Sequence, residues 1–286
     1  MKVVVISLVC IALLSVADAG LTGEAIIYFN CNDFIKVPRM VYGDNLTYPL
    51  DLLPVYTENQ TIDITFEATN TSEVSLRISR LDASKMLRFV ENGSEVRFEI
   101  GAPQNLSNAA GDLHLNSLTS GVYLVSVLDN RSSIISSVPM LVVKSNLTLD
   151  IPENVTAGDF LNVGVFLDGL GNVSKIFGVC MLSISDYECM KLIPGNDGLN
   201  VSFRNRSASL PLVKPSIPAL MEMLDVLPED GAVGMQESNE TKADVLLMTS
   251  PESESGTFIV TAAVYAPGRG LIGLRQGRIE VLPAAP

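Results

Sequence analysis

The 286-residue chain contains no tryptophan, only 6% aromatic residues and a single histidine, His114. Sugar-binding modules built on stacked aromatic platforms therefore have little to draw on, and so do zinc and haem sites that depend on histidine. Basic residues are scarce too: 19 Lys and Arg stand against 32 Asp and Glu, a net charge of −13. Nucleic acid is excluded as a partner, because binding phosphates takes clustered Lys and Arg. No C-x-x-C occurs among the four cysteines, and beyond the first turns of sequence no apolar run approaches the roughly 20 residues that cross a bilayer.

What is present begins at the N-terminus. Met1-Lys2, an apolar run over residues 3–16 and then "ADAG" make a basic n-region, an h-region and an Ala17-x-Ala19 cleavage signal. Residues 1–19 are thus expected to be a signal peptide, with Gly20 as the mature N-terminus. Neither a hydrophobic tail nor a basic stop-transfer cluster occurs in the C-terminal "RIEVLPAAP". The expectation is a secreted or cell-envelope-associated protein without a transmembrane anchor once the signal is removed. Cys10 leaves with the signal, and Cys31, Cys180 and Cys189 remain. Export permits disulfides, and Cys180 with Cys189 would close a short loop in "CMLSISDYEC". A bridge from Cys31 to either of them is the alternative.

Asparagine supplies the strongest signal. Asn-X-Ser/Thr triplets start at Asn45, Asn59, Asn70, Asn92, Asn105, Asn130, Asn146, Asn154, Asn172, Asn200, Asn205 and Asn239, which is 12 of 18 asparagines. With Ser and Thr at their frequency in this chain, chance places roughly 2 or 3 asparagines in such triplets. The excess points to a heavily N-glycosylated exported chain.

Short β-rich runs alternate with Gly, Pro, Asn and Asp punctuation, the pattern of β-sandwiches. In "TIDITFEA" the apolar Ile62, Ile64 and Phe66 share one face, with Asp63, Thr65 and Glu67 on the other. "GVYLVSVLDNRSSIISSVPMLVV" closes the first half as a hairpin, and "FIVTAAVYAPGRGLIGLRQGRIEVL" closes the second. The fold expected is all-β: two tandem Ig-like sandwiches, over residues 20–145 and 146–286. One short helix is predicted near 217–227, where Leu220, Leu224 and Leu227 recur at helical spacing after Pro218. In "LNVSFRNRS" a hairpin tip between Asn200 and Asn205 lets both acceptors meet solvent despite their odd spacing.

Catalytic motifs do not survive their context. "GRGLIG" (268–273) satisfies G-x-G-x-x-G, but only 13 residues follow, strand-like "RIEVL" among them, so it is a glycine-rich hairpin rather than a dinucleotide loop. His114 sits between Leu113 and Leu115 on a strand, facing outward, and no G-x-S-x-G elbow accompanies it. The turns "YGDN", "LDGLGN" and "PGNDG" offer oxygen atoms of the kind calcium takes, yet such turns are also ordinary hairpin chemistry. No metal, cofactor or catalytic residue is expected.

The stretches "NVTAGDFLNVGV" (154–165), "LPEDGAVGMQES" (227–238) and "GTFIVTAAVYAPGRGLIGL" (256–274) resemble an uncharacterised family of secreted proteins from methanogenic archaea. The resemblance covers most of residues 110–283. It implies an exported β-rich ectodomain near the cell envelope, with no assigned activity; some relatives are anchored at the C-terminus, by a segment this chain lacks. The function expected is a non-catalytic, glycosylated surface protein with a structural or adhesive role, its partners being cell-envelope components or other surface proteins. A ligand-binding ectodomain for a glycan, cation or protein is the alternative, followed by an exported hydrolase.

Overall fold

The computed structural model describes residues 25–31, 33–42, 46–48, 52–68, 74–80, 99–100, 104–106, 110–116, 118–129, 134–195, 198–203, 206–211, 228, 230–267 and 269–284. Its described residues divide into two units: one up to Phe34 with Leu52–Val143, the other made of Ile35–Asp51 and Lys144–Pro286. We call them the N-terminal and C-terminal units.

The N-terminal unit is a sandwich. One sheet has the order β1-β6-β10, formed by β1 (Ala25–Phe29), β6 (Ile62–Ala68) and β10 (Ala110–Leu115). The other runs β5-β12-β11-β7-β8, from β5 (Leu52–Thr57), β12 (Ile134–Val143), β11 (Gly121–Asp129), β7 (Val74–Arg80) and β8 (Glu99–Ile100), with β9 (Gln104–Leu106) also on β7. The two-residue alternation of β6 turns Ile62, Ile64 and Phe66 inward, where each is at most 1% exposed, against Leu76, Val125 and Val127 of the facing sheet. Strand β2 (Phe34–Lys36) crosses the boundary between the units.

The C-terminal unit repeats this plan. Its small sheet is β13-β15-β21, from β13 (Leu147–Asp150), β15 (Phe160–Leu167) and β21 (Lys242–Met248). Its large sheet is β14-β23-β22-β16-β20, from β14 (Asn154–Thr156), β23 (Gly270–Leu282), β22 (Gly256–Ala266), β16 (Lys175–Ser183) and β20 (Ala232–Ser238). In both units the first strand pairs antiparallel with one sheet, then the chain crosses over and lies parallel to the last strand of the other: β5 along β12, and β14 along β23. That strand order, A-B-E against A′-G-F-C-C′, is an immunoglobulin-type sandwich made twice. The core of the second copy comes from Val163, Val165, Phe177, Val179, Met181, Phe258 and Val260, with their neighbours.

A third sheet in the C-terminal unit, β19-β18-β17-β3-β4, departs from the repeat. It joins β17 (Met190–Gly195), β18 (Gly198–Phe203) and β19 (Arg206–Pro211) to β3 (Arg39–Tyr42) and β4 (Leu46–Tyr48). The first three lie in a long insertion between C and C′, and the last two between A and A′ of the other sandwich. Parallel pairing of Lys191 with Arg39 and Leu192 with Met40 places Ile35–Asp51 in the C-terminal unit, rather than in a domain running unbroken over residues 20–145. Gln276 of β23 fastens this segment as another strand would. Its Oε1 accepts from Lys36 N–H at 2.6 Å, and its Nε2 donates to Lys36 C=O at 3.0 Å and to Thr261 Oγ1 at 2.9 Å.

The helix among the described residues is α1 (Ile184–Cys189), started by Ser183, whose hydroxyl accepts from Asp186 N–H at 3.0 Å. It occupies the stretch in which a disulfide loop was expected. The helix expected near 217–227 and the leader expected at 1–19 lie outside the described residues. No helix among the described residues is long and apolar enough to cross a membrane.

Where the chain passes from the large sheet to the small one, β20 comes very close to β21. A Cβ on Gly234 would stand 2.6 Å from Leu246 O and 2.8 Å from Val245 Cγ1. Backbone cannot retreat as a flexible side chain can, so Gly234→Ala is expected to cost about 1–3 kcal/mol in urea unfolding. An unchanged midpoint would show that the sheets separate freely there.

Candidate functional site

Two features of the C-terminal unit stand apart from ordinary sandwich packing. The first is the loop end at its N-terminus. Three asparagines of the Asn-X-Ser/Thr triplets meet there: Asn146 just before β13, Asn172 in the β15–β16 loop and Asn239 in the β20–β21 turn, all exposed. Main-chain bonds stitch the loops together, Asp168 N–H to Asn146 O at 3.1 Å, Asn172 N–H to Asn239 O at 3.1 Å and Leu167 N–H to Thr241 O at 2.8 Å. Asn146 Nδ2 also donates to Asp168 Oδ2 at 3.3 Å.

Beneath them lies Lys175, 0% exposed, at the start of β16 and in phase with the core residues Phe177, Val179 and Met181. Its ammonium donates to three carbonyl oxygens: Leu170 at 2.8 Å, Val173 at 2.7 Å and Asn239 at 3.0 Å. Burial holds its pKa below the usual lysine value. The cage also fixes the left-handed backbone at Leu170 (φ 57°) and Asn172 (φ 58°). Asparagine tolerates that conformation, whereas for leucine it is strained and needs an external hold. The "LDGLGN" turn, considered for calcium, therefore gives its Leu170 carbonyl to the protein's own cation.

The second feature is a groove of about 330 Å³ on the small sheet, lined by Asp150, Pro152, Asn154, Phe160, Asn162, Gly164 and Asp244, among others. Asp150 and Asp244 sit opposite Gly164 on its two sides, in register across β13, β15 and β21. Beside the groove Phe160, Leu246 and Met248 are 64%, 57% and 65% exposed, an apolar patch with Phe160 directly opposite Met248. At the far end Lys242 lies 4.9 Å over the Phe166 ring and 3.5 Å from Asp244.

The remaining expected acceptors are spread through the chain. Asn59 is exposed in the turn after β5 and Asn154 is exposed on β14, while Asn105 lies in β9 and Asn200 in β18. Asn45, Asn70, Asn92, Asn130 and Asn205 lie outside the described residues. The hairpin expected around "LNVSFRNRS" is formed by β18 and β19, with Phe203 opposite Arg206 and Asn200 opposite Ser209. The glycine-rich "GRGLIG" is the β22–β23 hairpin, where Arg269 N–H meets Ala266 O at 3.0 Å.

Cys180 and Cys189, expected as a disulfide, are free thiols, as is Cys31. Cys180 is held in mid-strand between Val233 and Thr261, and Cys189 ends α1, so the intervening residues form strand and helix instead of a closing loop. His114 is exposed on β10, with Nδ1 2.5 Å from Asp63 Oδ1 on the neighbouring strand.

The sequence reading missed Lys175, although its signal is visible: in "VSKIFGVCM" the lysine falls on the inward phase with Phe177, Val179 and Met181. The groove had no such signal, because it arises from where β13 stops.

No family model and no curated protein matches the sequence. Among solved structures, a marsupial T cell receptor is similar over 80% of this chain and 71% of its own, at 12% identity and a TM-score of 0.27. The immunoglobulin-type assignment rests on the strand order of the two sandwiches.

Proposed function

We propose that this chain is an exported, N-glycosylated, non-catalytic protein of the cell envelope or surface, with a structural or adhesive role. The observation that carries the proposal is the placement of the acceptor asparagines. Asn59, Asn146, Asn154, Asn172 and Asn239, the five whose side chains are described, are all exposed, and three of them share one loop end. The resemblance to secreted proteins of methanogenic archaea supports the same reading, with cell-envelope components or other surface proteins as partners.

Mass spectrometry of native protein from the cell-envelope fraction tests it. The expected result is a mature N-terminus at Gly20 and glycan mass at Asn146, Asn172 and Asn239. Unmodified asparagines in a cytosolic protein would overturn the reading. A ligand-binding ectodomain is the second reading, favoured by the groove at Asp150, Phe160 and Asp244.

A further inference from the structure

The groove lies where a sheet edge is left open. In β15, Leu167 N–H donates to Thr241 O and Asp159 O accepts from Thr249 N–H, both toward the β21 side. Main-chain groups of an antiparallel strand alternate in direction, so odd-numbered residues of β15 bond to β21 and even-numbered ones face the other way. Gly164 and Phe166 then meet Asp150 and Thr148 of β13. Strand β13 ends at Asp150, and the chain leaves through Pro152 to become β14 in the other sheet. Beyond that exit, the N–H and C=O groups of Phe160 and Asn162 face the groove with no strand beside them among the described residues.

The N-terminal sandwich provides an internal comparison. There β1 covers its partner from Ala68 to Ile64, and Asn30 N–H extends the pairing to Asp63 O. Only the C-terminal copy stops short of its neighbour's end by a length that would take another short strand.

We propose that this notch is a docking site for an extended basic segment of a partner protein, added as a strand along Phe160–Asn162 in line with β13. An unpaired edge is a template for strand addition, and alternate side chains of the incoming segment set specificity. A basic side chain opposite Asn162 lies two residues along from Asp150 on the same face, while Asp244, across Gly164 from it, stands 3.5 Å from Lys242. The residue two further along, opposite Phe160 and on the same face, is apolar and rests on Phe160, with Met248 and Leu246 on the next strand. A second copy of this chain is disfavoured as occupant, since each copy brings a net charge of −13 and the notch is itself acidic. The proposal rests on the reading of the chain as an adhesive or binding surface protein and names the chemistry of its partner.

The test is fluorescence anisotropy with the full chain and a labelled heptapeptide in which lysine and valine take turns at every second position, separated by threonine, so that both lie on one face. Saturable binding is expected, weakened at least tenfold by Asp150→Lys with Asp244→Lys, two exposed charge reversals that leave the core intact. The same peptide with alternate backbone nitrogens methylated, so that one edge cannot donate hydrogen bonds, is expected to lose binding to a similar degree. A third arm uses Asn162→Pro, which removes one notch N–H, with circular dichroism reporting its fold. Equal binding of the methylated peptide would overturn strand addition, and equal binding to the charge-reversed chain would overturn the basic partner. A dimer in sedimentation that Asn162→Pro dissociates would assign the notch to a second copy instead. Because Asn154 stands at the rim, native glycosylated chain and Asn154→Gln are compared; binding by the variant alone would overturn the proposal for the mature protein. The peptide assay reads neither localisation nor sequon occupancy, so its failure leaves the mass-spectrometric result standing.

Discussion

Replacing Lys175 with alanine is expected to destabilise the C-terminal sandwich by about 2–4 kcal/mol, seen as a lower urea midpoint. The substitution removes a buried stem in register with Phe177 and the donor shared by the Leu170, Val173 and Asn239 carbonyls. Breaking a deep buried ion pair costs about 3–5 kcal/mol. Here the cage has exposed neighbours in Asn172 and Asn239, so water reaches the freed carbonyls and trims the loss. Lys175→Met keeps most of the stem and so separates packing from hydrogen bonding: it is expected to recover about 1–2 kcal/mol of the alanine loss. If methionine proves as stable as lysine, the cage is not what holds the loops.

The pH dependence of that variant carries a sign that can be checked. Burial lowers the folded pKa of Lys175 below its ordinary 10.5, so between those two values the unfolded chain binds more protons and stability rises with pH. Burial pushes the Cys180 thiol up to about 12 and raises the Tyr187 hydroxyl as well. Those groups act oppositely: their contribution is complete below the unfolded values near 9 and 10 and is lost as pH climbs above them. Wild-type protein therefore loses stability in alkali with partial relief from Lys175, and Lys175→Met is expected to fall more steeply above pH 9. A parallel fall in the two proteins would contradict the buried-ammonium account.

Gln276→Ala is expected to release the Ile35–Asp51 segment, with hydrogen exchange at the Lys36 amide faster by about 100-fold and a stability loss of about 2–3 kcal/mol. The side-chain amide is the acceptor for Lys36 N–H and a donor to Lys36 C=O and Thr261, so alanine leaves a polar cluster unmet. Tyr187 keeps some hold, since its hydroxyl donates to Lys36 O at 2.5 Å, and Lys36 Nζ lies 2.5 Å from Glu188 Oε1. The effect should therefore be strongest at Lys36 and fade along β3. Uniform acceleration across the whole C-terminal unit would mean that Gln276 supports the sandwich as a whole. No change at Lys36 would mean that the β3–β17 pairing and the Tyr187 and Glu188 contacts hold the segment without Gln276.

Much of this architecture was legible in the sequence because strand alternation is a local code. Ile62, Ile64 and Phe66 announce their shared face within five residues, and the β22–β23 hairpin follows from "APGRG" between two apolar runs. The β18–β19 hairpin was readable in the same way from the odd spacing of Asn200 and Asn205. The Asn-X-Ser/Thr triplets are readable directly, and the five of their asparagines whose side chains are described are exposed.

Other features depend on partners that no local pattern encodes. Arg39 pairs with Lys191 across some 150 residues, so the transfer of Ile35–Asp51 to the C-terminal unit is settled by sheet edges that exist only once both insertions have folded. Lys175 announced its inward phase, but the three carbonyls that satisfy its charge come from two loops that meet only in the sandwich. The open edge at Phe160 and Asn162 is more remote still, because it is set by the residue at which β13 abandons its sheet. Sequence alone determined the strands and their inward faces, since a two-residue period fixes those. Only the tertiary structure decided which edges were filled, which cation was caged and which groove was left open, since each depends on strands far apart in the chain.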